Sequence, residues 1–128
     1  MAAQARVQLG PEHTSCSEGT QQGDPLSPAL FSLAISPLVQ ELRARFPNVW
    51  QCWYLDDAIA MGDPAQCVQW THAAAEGAQR LGLEFNASKS EVLMTTAGQW
   101  PIGDMQLLQD PKKWVYLGAP FVGVTTMQ

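Results

Sequence analysis

The stretch Gln51-Cys-Trp-Tyr-Leu-Asp-Asp-Ala-Ile-Ala-Met-Gly62 sets two aspartates side by side between two short apolar and aromatic runs. Each run is short enough and bulky enough to be a strand, so the spacing predicts a β-hairpin whose turn falls at Leu55, Asp56 and Asp57. Tight hairpin turns need positive φ at their central residues and therefore favour glycine or asparagine. Leucine and a double negative charge run against both propensity and electrostatics. Positions that break local rules are often functional, and strain at Leu55 and Asp56 is the expectation.

The surroundings read outward from this hairpin. Upstream, "GDPLSPALFSLAISPLVQELRARF" predicts a long helix entered at Gly23-Asp24-Pro25, with Asp24 as N-cap and Pro25 at the first helical position. Phe31, Ile35, Leu38, Leu42 and Phe46 recur at helical spacing, and Leu26, Leu30 and Leu33 form a second stripe. The first half of this helix is therefore expected to be buried nearly all round and its second half, with Gln40, Glu41, Arg43 and Arg45, to face water. Pro37 predicts a kink. On the first strand Trp50, Cys52 and Tyr54 share one face, with Val49 and Trp53 on the other.

Downstream, Asp63 and Pro64 open a second helix with Val68, Ala75 and Leu81 as its core stripe and Gly82 at its end. Strands are expected at "EVLMTT", at Met105 to Leu108 and at Trp114 to Leu117, and a weak strand and turn in "ARVQL" and "GPEHTS" near the start. The order β, long α, β-turn-β, α, β, β, β is an α+β fold: an antiparallel sheet with two helices packed on one face.

Composition bounds the alternatives. The 128 residues are 46% hydrophobic and 15% charged, which fits one packed globular domain and not a disordered chain. No apolar run reaches the ~20 residues of a membrane span, and the N-terminus lacks the apolar core of a secretory signal, so an intracellular chain, nuclear or cytoplasmic, is the expectation. Cys16, Cys52 and Cys67 lack metal-ligand spacing and read as free, buried thiols. The net charge is -5, with only Arg6, Arg43, Arg45, Arg80, Lys89, Lys112 and Lys113 as cations. A self-sufficient nucleic-acid binder normally carries a basic face, and this chain has none clustered in sequence.

Four segments read together resemble reverse transcriptases, the RNA-directed DNA polymerases, most closely those of non-long-terminal-repeat retroelements and group II introns. They are "GTQQGDPLSPALF" (19–31), "YLDD" (54–57), "LGLEFNASKSEVL" (81–93) and "YLGAPF" (116–121), in the family's order and at about its spacing. A four-letter "YLDD" recurs by chance. Preceded by QG-x-PLSP-x-LF and followed by GL-x-x-N-x-x-K-S, it is specific. The resemblance covers roughly Gly19 to Phe121 and implies the C-terminal part of a polymerase palm over residues 19–128, with 1–18 a separate strand and turn segment.

That resemblance implies a site. Nucleotide addition uses two hard cations about 3.5 to 4 Å apart, one activating the primer hydroxyl and one holding the triphosphate, and Mg2+ (or Mn2+) takes oxygen ligands. By similarity Asp56 is the principal metal ligand and Asp57 supports it, because adjacent residues of a strand point to opposite faces. Tyr54, with Gln22 and Gly23 beside the nascent base pair, would contact substrate; most family members carry proline, arginine or valine where this chain has Gln21. Lys89 matches a family lysine that could stabilise charge or donate a proton near the leaving pyrophosphate. Its alternative is a solvated loop lysine. Asn86 reads as a residue that fixes the loop by local hydrogen bonds. Tyr116, Leu117 and Gly118 resemble the hairpin that supports the primer, or form a core strand with a glycine bend.

A two-metal site needs a further carboxylate from a neighbouring strand. Before Tyr54 the acids are Glu12, Glu18, Asp24 and Glu41, none in the apolar strand context of the family segment. The third ligand is not recognisable, and neither are the basic fingers and the helical thumb, whose absence accounts for the acidic balance. The expectation is a reverse transcriptase fragment whose complete family enzyme takes an RNA or DNA template-primer and dNTPs, inactive alone, with weak or no nucleic-acid binding and no membrane partner. The alternative is a non-catalytic, degenerate retroelement remnant serving as a protein-interaction module.

Overall fold

A computed structural model of the chain describes residues 5–9, 12–16, 23–94, 98–110, 115–116 and 119–120. The elements run β1 (Ala5–Leu9), β2 (Glu12–Cys16), α1 (Ser27–Arg45), β3 (Trp50–Tyr54), β4 (Asp57–Met61), α2 (Pro64–Arg80), a 3-10 turn (Ala87–Lys89), β5 (Glu91–Leu93), β6 (Gln106–Leu108), β7 (Val115–Tyr116) and β8 (Ala119–Pro120). No described helix is long and apolar enough to cross a membrane.

Among the described residues the strands form four two-stranded pairs: β1-β2, β3-β4, β5-β6 and β7-β8. Three are antiparallel and β5-β6 is parallel. The fold is an α+β mix as expected, but a single antiparallel sheet under two helices does not form among the described residues. β5 and β6 are separated by residues 94–105, a connection long enough to cross over and bring β6 alongside in the same direction; a hairpin turn would have reversed it.

α1 starts later than its sequence suggests. Asp24 is not its N-cap and Pro25 is not its first residue: the helix begins at Ser27, with Leu26 at the cap position and no side-chain cap. The reason lies in Pro28. The Asp24 carbonyl would take its helical hydrogen bond from residue 28, which has no N–H, so it accepts instead from Ser27 N three residues on, at 3.1 Å. The Asp24 carboxylate accepts from Leu26 N at 2.9 Å and closes a local turn. α1 runs continuously through Pro37 and ends where Pro47 disfavours helical geometry at Phe46.

The core gathers Leu38 and Leu42 of α1, Val49, and Trp70, Ala73 and Ala74 of α2, flanked by Phe46, Trp53, Ala60 and Cys67. Leu42 is fully buried. The expected stripe of α2 is rotated: Val68 and Ala75 are half-buried and Leu81 is exposed, while Trp70, Thr71, Ala73, Ala74 and Gly77 are buried. Small residues win that face because α1 comes close, and a Cβ at Gly77 would overlap the Leu38 side chain. The first half of α1 is likewise corrected. Leu26, Leu30 and Leu33 are 65%, 49% and 71% exposed, and they lie outside the core cluster formed by the second half of the helix.

α2 opens as read. Asp63 accepts from Ala65 N at 3.0 Å and Gln66 N at 3.4 Å, and Pro64 is the first helical residue. It closes with Leu83 N donating to Ala78 O and Gly82 N to Gln79 O, a Schellman arrangement that uses the positive φ of Gly82. Across the helices Arg80 Nη2 donates to Oε2 and Oε1 of Glu41 at 3.0 and 3.3 Å. The pair is exposed, so it orients the helices more than it stabilises them.

Candidate functional site

β3 and β4 pair in the register Trp50↔Met61, Gln51↔Ala60, Cys52↔Ile59, Trp53↔Ala58 and Tyr54↔Asp57. That register leaves Leu55 and Asp56 as the two residues of the turn. Directly opposed residues share a face, so Trp50, Cys52 and Tyr54 lie with Met61, Ile59 and Asp57 on one side, and Gln51 and Trp53 lie with Ala60 and Ala58 on the other. An isolated two-stranded hairpin is marginal in water. This one is held because its Gln51 and Trp53 face meets Trp70 of α2.

Leu55 has φ +53 and is the single described non-glycine residue with positive φ. Positive φ at the first central residue and negative at the second is the sign pattern of a type II′ turn, whose first position belongs to glycine. A branched, apolar side chain there costs about 1–3 kcal/mol of local strain. The strain expected at this turn is thus present at Leu55; Asp56 does not share the positive φ.

The turn sets the two aspartates differently. Asp56 occupies the turn itself and Asp57 begins β4 opposite Tyr54. Both are exposed, as is Tyr54, and among the described residues neither carboxylate makes an ion pair. Their donors are hard, solvent-accessible oxygens, which suits Mg2+, an ion that keeps several waters and is commonly held by one or two carboxylates with substrate phosphates. Among the described residues no group of three or more histidine, cysteine, aspartate or glutamate side chains comes together.

The other site candidates lie elsewhere in the chain. Gly23 has φ +91 in the turn before α1, and among the described residues nothing lies within 4 Å of where a Cβ would sit. Gln22, Leu117 and Gly118 lie outside the described residues. Tyr116 is in β7, paired with Ala119. Lys89 ends the 3-10 turn with its residue exposed, and it forms no ion pair with Asp56 or Asp57 among the described residues. Asn86 does fix that loop: its Oδ1 accepts from Lys89 N at 3.1 Å and Ser88 Oγ at 2.8 Å, and its carbonyl accepts from Ser90 Oγ at 2.8 Å. Cys52 and Cys67 are free thiols as expected, but half-buried and not fully buried. Burial pushes the Cys67 thiol above its usual 9.0, with the Asp63 carboxylate adding to the shift.

A model of the family described as reverse transcriptase (RNA-dependent DNA polymerase) matches residues 4–121. The chain belongs to the reverse transcriptase family. It is 35% identical over 80 residues to the retrotransposable element SLACS 132 kDa protein of Trypanosoma brucei gambiense, an alignment that covers 62% of this chain and 7% of that protein. The chain therefore spans a small part of the curated relative it matches. No solved structure matches significantly.

In this reverse transcriptase chain, all five cross-strand pairs of the hairpin at 50–61 form around the aspartate turn. One residue beside it escaped the sequence reading. Gln51 sits at a core position, and the readable signal was alternation: the face that carries Trp53 must also carry Gln51, a polar group with an apolar environment to satisfy.

Proposed function

We propose that this chain contributes the aspartate-bearing part of a nucleotidyl-transfer site in a retroelement reverse transcriptase, one that copies an RNA or DNA template by adding dNTPs to a primer. The observation that carries the reading is the strained Leu55 turn, which holds exposed Asp56 and Asp57 at the tip of a braced hairpin in a chain of this family. Strain of this kind survives where function needs a side chain held in one place.

In this reading Asp56 is the principal ligand of Mg2+ or Mn2+ and Asp57 supports it. In the reaction the primer 3′-hydroxyl would give up its proton to solvent as its oxygen bonds to the α-phosphorus of the dNTP, the bond from that phosphorus to the α,β-bridging oxygen would break, and pyrophosphate would leave. The bound ions would lower the pKa of the hydroxyl and neutralise charge on the triphosphate. Tyr54, opposite Asp57 in the ladder, would lie against the primer end, Gln22 and Gly23 beside the incoming base pair, and Lys89 near the departing pyrophosphate. A third carboxylate, supplied from outside the described residues, completes the two-ion site.

The 128-residue chain by itself is then inactive. Purified chain with Mg2+, primer-template and dNTPs is expected to give no primer extension, and robust extension lost in Asp56→Asn would show that the site is already complete. A second reading, a non-catalytic remnant acting as a protein-interaction module, draws its support from the exposed Leu26, Leu30 and Leu33 stripe. The two separate on metal binding: the polymerase reading expects Mn2+ to bind weakly at the hairpin tip and to be lost in Asp56→Asn, and the module reading expects no difference between the two proteins.

A further inference from the structure

The core face of the hairpin carries one buried polar side chain. Gln51 is 9% exposed, opposite Ala60 in the ladder and on the same face as Trp53. A buried amide is costly unless hydrogen-bonded, and here the bonding is one-sided. Gln51 Oε1 accepts from Trp53 Nε1 at 3.1 Å and from Trp70 Nε1 at 3.4 Å. Those two donors use both lone pairs of the oxygen. The indole rings lie 5.8 Å apart at 54°, an attractive tilted geometry. Among the described residues Gln51 Nε2 has no partner. The arrangement uses the acceptor oxygen and not the amide donor.

This oxygen joins two elements that matter to the turn. Trp53 precedes Tyr54 at the end of β3, two residues before Leu55, and Trp70 is buried in α2. A positive φ at leucine persists only where the surroundings over-determine it. Tyr54, Leu55, Asp56 and Asp57 are not buried, so the tip does not hold itself. We infer that Gln51 is a positioning residue: its Oε1 clamps β3 to α2 through the two indoles and thereby fixes the direction in which the Leu55 turn presents Asp56 and Asp57. The step from turn to metal rests on the role proposed above for the aspartates. The step from clamp to turn does not.

The test uses the purified chain as wild type and as Gln51→Leu, Gln51→Glu, Trp70→Phe and Gly77→Ala. NMR follows the indole N–H protons of Trp53 and Trp70 and the backbone amides of Leu55, Asp56 and Asp57, and paramagnetic resonance of free Mn2+ follows metal affinity. Gln51→Leu is expected to shift the turn amides, speed indole exchange and weaken Mn2+ binding on the order of tenfold, as loss of an orienting partner does elsewhere. Gln51→Glu keeps an acceptor oxygen in either protonation state and stays within about twofold of wild type. Trp70→Phe keeps a ring, deletes one donor, and shifts the turn amides even should the leucine variant not fold. Gly77→Ala, about two helical turns from Trp70, loses stability and leaves the turn amides and Mn2+ affinity in place. Turn amides and Mn2+ binding unchanged in Gln51→Leu or Trp70→Phe overturn the inference. Turn amides that move in a chain whose wild type binds no Mn2+ uphold the clamp and overturn the metal role of the aspartates instead.

Discussion

Leucines at the two ends of α1 meet opposite fates. In the second half Leu38 and Leu42 disappear against Val49, Trp70, Ala73 and Ala74, while in the first half Leu26, Leu30 and Leu33 stand in solvent. Nothing in helix propensity or hydropathy separates them. The difference is supplied by α2, whose small face lets Leu38 approach at Gly77. Burial is thus a property of the pair of surfaces, and an apolar stripe records only a capacity to be covered.

Substitutions can break that contrast. Leu42→Ala leaves a cavity at the best-buried side chain and should cost about 3 kcal/mol in urea unfolding. A loss no larger than that of a surface change would place the core elsewhere. Gly77→Ala forces a methyl against Leu38 and should cost about 1–3 kcal/mol through strain, despite the better helix propensity of alanine. Cys67, on the covered side of α2, ties a smaller effect to pH. Because its folded thiol is raised above the usual 9.0, the unfolded thiol ionises first, so stability is retained below that value and falls as pH rises through it. Cys67→Ala should flatten that alkaline loss in denaturation curves recorded across the range. Leu33→Ser, on the bare half of α1, should change unfolding free energy by less than about 0.5 kcal/mol. A large loss there would reveal a partner surface.

What could be read from the chain follows the same division. Asp63, Pro64 and Gly82 mark α2 correctly because caps obey local backbone chemistry. The strain at Leu55 was legible for the same reason: two strands of fixed bulk force a two-residue turn, and neither available residue is glycine. The start of α1 misled because Asp24-Pro25 is the more conspicuous signal, although the missing N–H of Pro28 decides the register of the first turn. The Trp70, Ala74 and Gly77 stripe was hidden because alanine and glycine carry little hydropathy and owe their burial to a helix that only the fold brings near. The parallel course of β5 and β6 depends on a crossover that no local residue marks. At the site, resemblance singled out Asp56 and Asp57 by their motif, but Gln51 becomes visible only once two indoles from different elements converge on its oxygen.

In the proposed role, the strained turn presents Asp56 and Asp57 as oxygen ligands for a catalytic cation. The direct measurement is a Mn2+ titration of the chain, followed by paramagnetic resonance of the free ion, in wild type and in Asp56→Asn. Wild type is expected to bind weakly, at about millimolar, and Asp56→Asn to remove that binding while the unfolding transition stays in place. Equal binding by the two proteins would contradict it.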